Sequence, residues 1–383
     1  MNRKELDEAA DKLEGVLDAH NIGARVTGGN VTPRWIQFNV QPAPGVKISK
    51  IESISREIAV ALGADKARVT TAGTQIRIEV PRSDPAPVAL LRMMARLPMA
   101  SVPKGSAVLG LADDGAPLLV RLPSPDVAHV LVSGTTGSGK TAIVQTMIMS
   151  LALLHHRRQM QFVLIDPKGR SFDALAALPH LLRPIVSKPG EAVSVLGEMV
   201  TMMERRDAER VCEPRIVIVI DELADLVASG GAEVVASIER LVQRGREAGI
   251  HVIGATQKPS SSVLGPIMKA NFPVRLIGRV VSADDARVAA GVGGTGAEKL
   301  QGTGDFIAVT NGGNIRFQAA YSVASEMAGL TQRLHEGVPG ADLIREVGTV
   351  MRTAAADNAR AELENAIRKL PRAGAGSNFA LAN

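Results

Sequence analysis

Hydrophobic and polar positions follow one rhythm over the first hundred residues and another after them. Residues 3–20 place Leu6, Leu13 and Leu17 on one face of a helix. Apolar and polar residues then alternate in Trp35–Val40, Ala67–Val69 and Gln75–Val80, the period-two pattern of half-buried strands. Between them Ser49 is placed to cap a helix running through Ala61 and closed by Gly63. Pro81, Pro85 and Pro87 end the unit, and Ala86–Ala95 reads as a connecting helix. The expectation for 1–97 is an N-terminal helix followed by a small α/β module.

Beyond residue 97 the alternation gives way to unbroken apolar runs. Strands are expected at 128–133, 161–165, 215–220, 250–255 and 273–279, each apolar on both faces, as buried parallel strands are. Helical patterns lie between them at 139–154, 190–211 and 232–248. This grammar predicts an α/β fold, a doubly wound sheet over 98–328. Asp305–Val309 and Asn314–Ala319 flank Asn311-Gly312-Gly313 and read as a closing hairpin. The remainder, 329–383, is helix-rich over 341–370 and then runs into Ala, Gly, Ser and Asn, a composition of disorder.

Chemistry enters at the end of the first apolar run. Gly134, Thr135, Thr136, Gly137, Ser138, Gly139, Lys140 and Thr141 form G-x-x-x-x-G-K-T between a strand and a helix. Glycines 134, 137 and 139 let the backbone curl so that N–H groups converge on a polyphosphate, and the helix start adds positive potential. Lys140 is placed for the β- and γ-phosphates and Thr141 for Mg²⁺. The bland reading of the segment is a glycine-rich turn in a βαβ unit.

A second element is Ile216–Ile220 followed by Asp221 and Glu222. Asp221 suits a Mg²⁺ role opposite Thr141, and Glu222 suits a carboxylate that orients and deprotonates an attacking water. An Asp-Glu pair also suits a helix start. The strand ending at Ala255 leads into Thr256-Gln257, where Gln257 is either a γ-phosphate sensor or a surface amide. No Asn-Lys-x-Asp guanine motif occurs. A cation for the developing charge is missing from this set. Arg246, before the Gln257 strand, fits a finger supplied to a neighbouring subunit; Arg275 and Arg287 compete for that role.

Composition narrows the partners. The net charge is +5, and Arg240–Arg287 alone holds eight basic residues against three acidic ones, a surplus of five. That segment is either a solvated face or a polyanion contact. Nine aromatic residues (Phe 7, Trp 1, Tyr 1) are too few for base stacking to dominate a nucleic-acid surface. The single cysteine, Cys212, excludes an internal disulfide framework and fits a reducing compartment. No run approaches the ~18 apolar residues of a bilayer span, and the charged start Met1–Glu8 is not a signal peptide. A soluble, cytoplasmic protein is expected.

Taken together, the motifs resemble the FtsK/SpoIIIE family of DNA translocase motors. The similar stretches are Gly134–Thr141, Val163–Lys168, Asp221–Leu226, Arg246–His251, Ala255–Ser260, Ile267–Asn271 and Gly296–Asp305, in matching order and spacing. Gly45–Ile51 resembles the α module before these motors. The resemblance implies a RecA-like P-loop NTPase domain using ATP and Mg²⁺, assembled as a homo-oligomeric, hexameric ring around double-stranded DNA. It implies Glu222 as catalytic carboxylate, Arg246 as finger in trans and Gln257 as sensor. It also places Lys258, Lys269 and Arg287 against DNA phosphates.

The chain departs from the family pattern at Thr141, Lys258 and Ala283, and no membrane anchor or C-terminal winged helix is recognised. Two other readings remain: a related ATPase moving protein in a secretion system, and a DNA-binding switch that uses ATP without translocating.

Overall fold

The computed structural model describes residues 3–72, 75–82, 87–257, 265 and 271–369. Helix α1 (Arg3–Ala19) leads into strands β1 (Ala24–Val31) and β2 (Trp35–Pro42). Helices α2 (Ile48–Ser53) and α3 (Ser55–Ala61) follow, then β3 (Arg68–Ala72) and β4 (Gln75–Pro81). The four strands form an antiparallel sheet in the order β1-β2-β4-β3. Leu13, Leu17, Ile51, Ile58 and Ile78 are fully buried in its own core.

Two expectations for this part change. Strand β1 carries no alternation; its Gly29 lies so close to β2 that a Cβ would sit 2.3 Å from the Gln37 carbonyl oxygen. The helix expected from Ser49 to Ala61 is two pieces joined at Ile54, which has non-helical dihedrals and is itself buried. Ser49 lies inside the first turn, with Lys47 at the cap position.

The second sheet begins with β5 (Val88–Ala89), and α4 (Leu90–Met94) is all that the structure makes of the expected connecting helix; residues 83–86 lie outside the described ones. Then come β6 (Ser106–Ala112), β7 (Pro117–Arg121), β8 (Val130–Ser133), α5 (Lys140–Leu154), β9 (Met160–Ile165), α6 (Pro189–Glu209) and β10 (Arg215–Ile220). The chain continues through α7 (Leu223–Arg244), β11 (Ile250–Thr256), β12 (Val274–Ile277), α8 (Ala283–Ala290), β13 (Asp305–Thr310) and β14 (Gly313–Tyr321). Helices α9 (Ala324–His335) and α10 (Gly340–Lys369) close it.

The strand order is β7-β6-β14-β13-β12-β8-β11-β10-β9, with β5 beside β14. Only the half from β12 to β9 is parallel; the hairpin and the β6–β7 ribbon add an antiparallel half. The sheet is therefore mixed and not doubly wound throughout: the hairpin and the strands β6 and β7, which were not among the expected ones, join the same sheet.

Burial on both faces explains the unbroken apolar runs. In β10, Val217 and Val219 face the core shared with α5, while Ile216, Ile218 and Ile220 face α6 and α7. Helix α7 starts at Leu223, not at 232, and kinks at Gly231 (φ 61°, ψ −148°), so the expected helix is its second half. Met327, Leu330 and Leu334 of α9, with Leu343 and Ile344 of α10, join the same core as α5.

Candidate nucleotide site

The parallel strands point their C-terminal ends at one edge of the sheet, where ligands bind in open α/β folds. Strand β8 delivers Gly134–Gly139 there, and α5 starts at Lys140. Gly137 (φ 81°) and Gly139 (φ 96°) take left-handed conformations that a side chain would strain. A Cβ on Gly134 would lie 2.6 Å from Ser138 Oγ. Thr135 donates from its N–H (2.9 Å) and its hydroxyl (3.0 Å) to the Arg279 carbonyl. On the other side, the Thr303 and Gly304 N–H groups donate to the Gly137 and Ser138 carbonyls, both at 2.9 Å. The loop is thus gripped from β12 and from the 302–304 turn.

Two strands away, β10 ends at Asp221 and Glu222, with the β11 end at Thr256 and Gln257 between it and the loop. Lys140 is buried, and its ammonium donates to the Asp221 carbonyl at 2.6 Å. The same nitrogen lies 3.6 Å from Asp221 Oδ1 and 3.8 Å from Glu222 Oε2. The Thr141 hydroxyl is 3.5 Å from Asp221 Oδ1, and the Ser171 hydroxyl donates to Asp221 Oδ2 at 2.7 Å.

Glu222 is buried yet well partnered. The Thr256 hydroxyl donates to Oε1 at 2.8 Å, and the Gln257 N–H lies 3.1 and 3.3 Å from the two oxygens. Lys168 sits 3.8 Å from the same carboxylate and 3.1 Å from Asp225. Its bond to Asp225 raises the Lys168 pKa above the ordinary lysine range. The Gln257 amide in turn accepts from the Thr136 hydroxyl at 3.2 Å. Loop, carboxylates and Gln257 form one connected set.

Thr256, Lys168, Ser171 and Asp166 were not expected to contribute. Asp166 ends β9 and accepts from the N–H groups of Lys168 (3.2 Å), Arg170 (2.8 Å) and Ser171 (2.7 Å), so it shapes the turn that presents Lys168 and Ser171. Their signal was position: each follows or ends a parallel strand at this edge.

The remaining expected residues lie elsewhere. Arg246 precedes β11, at the edge opposite the phosphate-binding loop, one strand length or on the order of 20 Å away. It is 38% exposed and pairs with Glu247. Arg275 lies mid-strand in β12 against Gly291 and is half-buried, with its pKa lowered by desolvation. Arg287 on α8 is exposed and 3.3 Å from Asp284. Lys258 and Lys269 lie outside the described residues.

A Mg²⁺ ion fits the donor set at the loop. Among the described residues no cluster of three or more His, Cys, Asp or Glu exists. One carboxylate and one hydroxyl side by side match a small cation that takes its other ligands from phosphates and water. Also among the described residues, no helix is long and apolar enough to cross a membrane.

The model of the FtsK/SpoIIIE family matches residues 91–211 and 207–261, and the model of the FtsK alpha domain matches 1–82. Similar proteins include "DNA translocase FtsK" of Staphylococcus aureus, 35% identical over 352 residues, covering 84% of this chain and 44% of that protein. The protein of the same name in Caldanaerobacter subterraneus is 35% identical over 351 residues, covering 86% and 49%. The chain thus spans less than half the length of these relatives.

Among solved structures, the conjugation coupling protein TcpA, determined with ATPγS, superposes with a TM-score of 0.54 at 16% identity, over 84% of this chain and 99% of that one. The cytoplasmic domain of the type VII secretion ATPase EccC from Thermomonospora curvata gives 0.55 at 23%, over 65% and 34%. At these identities the likeness is one of fold, and the fold is that of RecA-like P-loop ATPases.

Proposed function

Because the chain belongs to the FtsK/SpoIIIE family, we propose that it is an ATP-hydrolysing motor that moves along double-stranded DNA as a homo-oligomeric ring. The observation that carries the hydrolytic step is the Glu222 carboxylate, buried next to Lys140 and fixed by Thr256 and Gln257. In this reading Lys140 and the loop N–H groups hold the β- and γ-phosphates. Glu222 accepts the proton of a water that attacks the γ-phosphorus as the bond to the β-phosphate oxygen breaks. Thr141 and Asp221 would hold Mg²⁺, and such an ion would supply charge neutralisation for the phosphates. Gln257, bonded to Thr136 and Glu222, ties the γ-phosphate to the strand behind it.

The position of Arg246 supports the ring reading. It lies across the sheet from its own loop, so in this reading it serves a neighbouring subunit's nucleotide. Lys258, Lys269 and the exposed Arg287 are assigned to DNA phosphates, contacts independent of sequence and weakened by salt. We divide the chain into a module over 1–97 and a motor from 98. The motor boundary at 328 is moved outward, since α9 runs across it and α10 contributes Leu343 and Ile344 to the motor core.

The test is the ATPase rate with and without duplex DNA, read beside ATP-dependent displacement of a third strand from a triplex. DNA-stimulated hydrolysis and displacement, both lost in Glu222→Ala, are expected. Hydrolysis indifferent to DNA with no displacement overturns the motor reading.

A further inference from the structure

Near the end of α6 lies a buried cation that the hydrolytic mechanism does not use, Arg206. Among the described residues it forms no ion pair with a carboxylate. Its Nη1 donates instead to two backbone carbonyls, those of Pro214 at 2.8 Å and Ala248 at 3.2 Å. Burial lowers its pKa from the ordinary arginine value, and the neighbouring Arg205 lowers it further. Taking a guanidinium out of water without a counter-charge is costly, and well-packed apolar side chains commonly replace buried charges without loss of stability. Stability alone is a poor reason for an arginine at this place.

The two carbonyls identify what it holds. Pro214 ends the connection from α6 to β10, and Ala248 lies two residues after Arg246 in the turn between α7 and β11. Ala248 is fully buried, and the turn is closed by its own bonds. The Ile250 N–H donates to the Gly245 carbonyl at 2.8 Å, and the Gly249 N–H to the Arg246 carbonyl at 3.1 Å. Gly249 takes φ 68°, and a Cβ there would run into the Cys212 carbonyl oxygen, so the 212–214 connection lies directly against the turn. The Gly249 carbonyl accepts from the Ile216 N–H at 2.9 Å, which ties the turn to β10 as well. Helix α6, the start of β10 and the turn thus meet at one joint, with the Arg206 guanidinium in it. The turn is fixed through its backbone, and the Arg246 side chain, 38% exposed and paired with Glu247, stays outside the joint.

We propose that Arg206 is a positioning residue for Arg246: it holds rigid the turn from which the finger projects, and so acts on the nucleotide of the neighbouring subunit. The inference rests on the reading of Arg246 as a finger in trans. A finger must bring its guanidinium within hydrogen-bond distance of charge that develops on another chain, and a misplacement of about 1 Å can cost about 10²-fold in rate. A rigid base is therefore worth the burial of a second arginine behind the first. The same side chain is remote from its own phosphate-binding loop. Its partner Pro214 precedes β10, whose six residues carry the chain on the order of 20 Å before Asp221 is reached.

Steady-state hydrolysis by the full chain with ATP, Mg²⁺ and duplex DNA tests this, together with rings mixed from two kinds of subunit. Arg206→Met keeps the apolar stem and removes the donors; kcat is expected to fall about 10²-fold with KM for ATP unchanged. Arg206→Lys, whose shorter stem carries a single ammonium, is expected to lose about tenfold, and it carries the test if the methionine variant does not fold. Mixed with Glu222→Ala subunits, either variant should regain part of the rate, because those subunits bring an intact finger to the variant's intact nucleotide site. Mixed with Arg246→Ala subunits, it should regain nothing, because neither chain then supplies a working finger. A gain with Arg246→Ala subunits, no gain with Glu222→Ala subunits, or a wild-type rate in either variant overturns the proposal. Each of these leaves the ring reading intact as long as Arg246→Ala and Glu222→Ala rescue each other. If that reference pair shows no rescue, the finger in trans falls, and the role of Arg206 with it.

Discussion

The two edges of the parallel sheet share strands but not design. At the C-terminal edge Lys140, Asp221, Glu222, Thr256 and Gln257 hold one another through hydrogen bonds and close charges. At the N-terminal edge the Arg246 side chain is 38% exposed and, among the described residues, pairs with its chain neighbour Glu247. Just inside that edge, His129 and His251 are buried with ring centroids 6.3 Å apart. His129 Nδ1 accepts from the Val252 N–H, and His251 Nδ1 donates to the Ala128 carbonyl. One edge is preorganised for a ligand that arrives. The other carries a cation away from its own phosphate-binding loop, with neutral imidazoles buried behind it.

The sharpest way to break this contrast is Arg246→Ala. If the finger acts in trans, hydrolysis falls about 10³-fold or more while nucleotide affinity and folding hold, since an exposed pair with the chain neighbour Glu247 contributes little to stability. Mixing it with Glu222→Ala subunits restores part of the rate; absence of any rescue returns Arg246 to an ordinary surface residue. Next in size is Glu222→Gln at the opposite edge. Phosphate release is expected to drop about 10²–10⁴-fold with ATP still bound. A wild-type rate in that variant removes the carboxylate from the chemistry.

Smaller again is Thr256→Val, which takes one hydroxyl from Glu222. A loss of about tenfold in turnover with a modestly lowered melting temperature is expected, the effect of removing one buried hydrogen bond to a charged group. The least change comes from acid. Burial lowers His129 to about 3 and His251 to about 4, against 6.5 when unfolded. The folded state therefore resists protons that the unfolded chain takes up. Stability is full above pH 6.5 and is lost as pH falls toward 4, by about 2–3 kcal/mol at pH 5.5 for the pair. Denaturant titrations at pH 7.5 and 5.5 measure this, and His251→Gln should remove about half the difference.

What the residues disclosed in advance follows the same division. The C-terminal edge was legible because its groups sit in contiguous motifs, Gly134–Thr141 and Asp221–Glu222, each at the end of an apolar run. The β strands buried on both faces announced themselves by unbroken apolarity. Strands β1, β6 and β7 did not: β1 is largely exposed and lacks alternation, and β6 takes its place in the sheet from β14, far along the chain, with close backbone approaches at Gly29 on β2 and Gly110 on β14. Lys168 and Ser171 were hidden for a related reason: only the turn organised by Asp166 carries them to Asp221 and Glu222.

Strand β11 has one end in each of the two regions. Its seven residues, Ile250–Thr256, are buried throughout and hydrogen-bonded on both sides, to β8 and to β10. Such a segment transmits a push along its axis with little slack. Thr256 and Gln257 hang on the carboxylate at one tip, and the turn bearing Arg246 hangs on the other. In a closed ring each protomer would therefore carry a connecting rod, with the event at its own nucleotide at one end and the crank for the next protomer at the other. The firing sequence of such an engine would be written in the stiffness of a single strand.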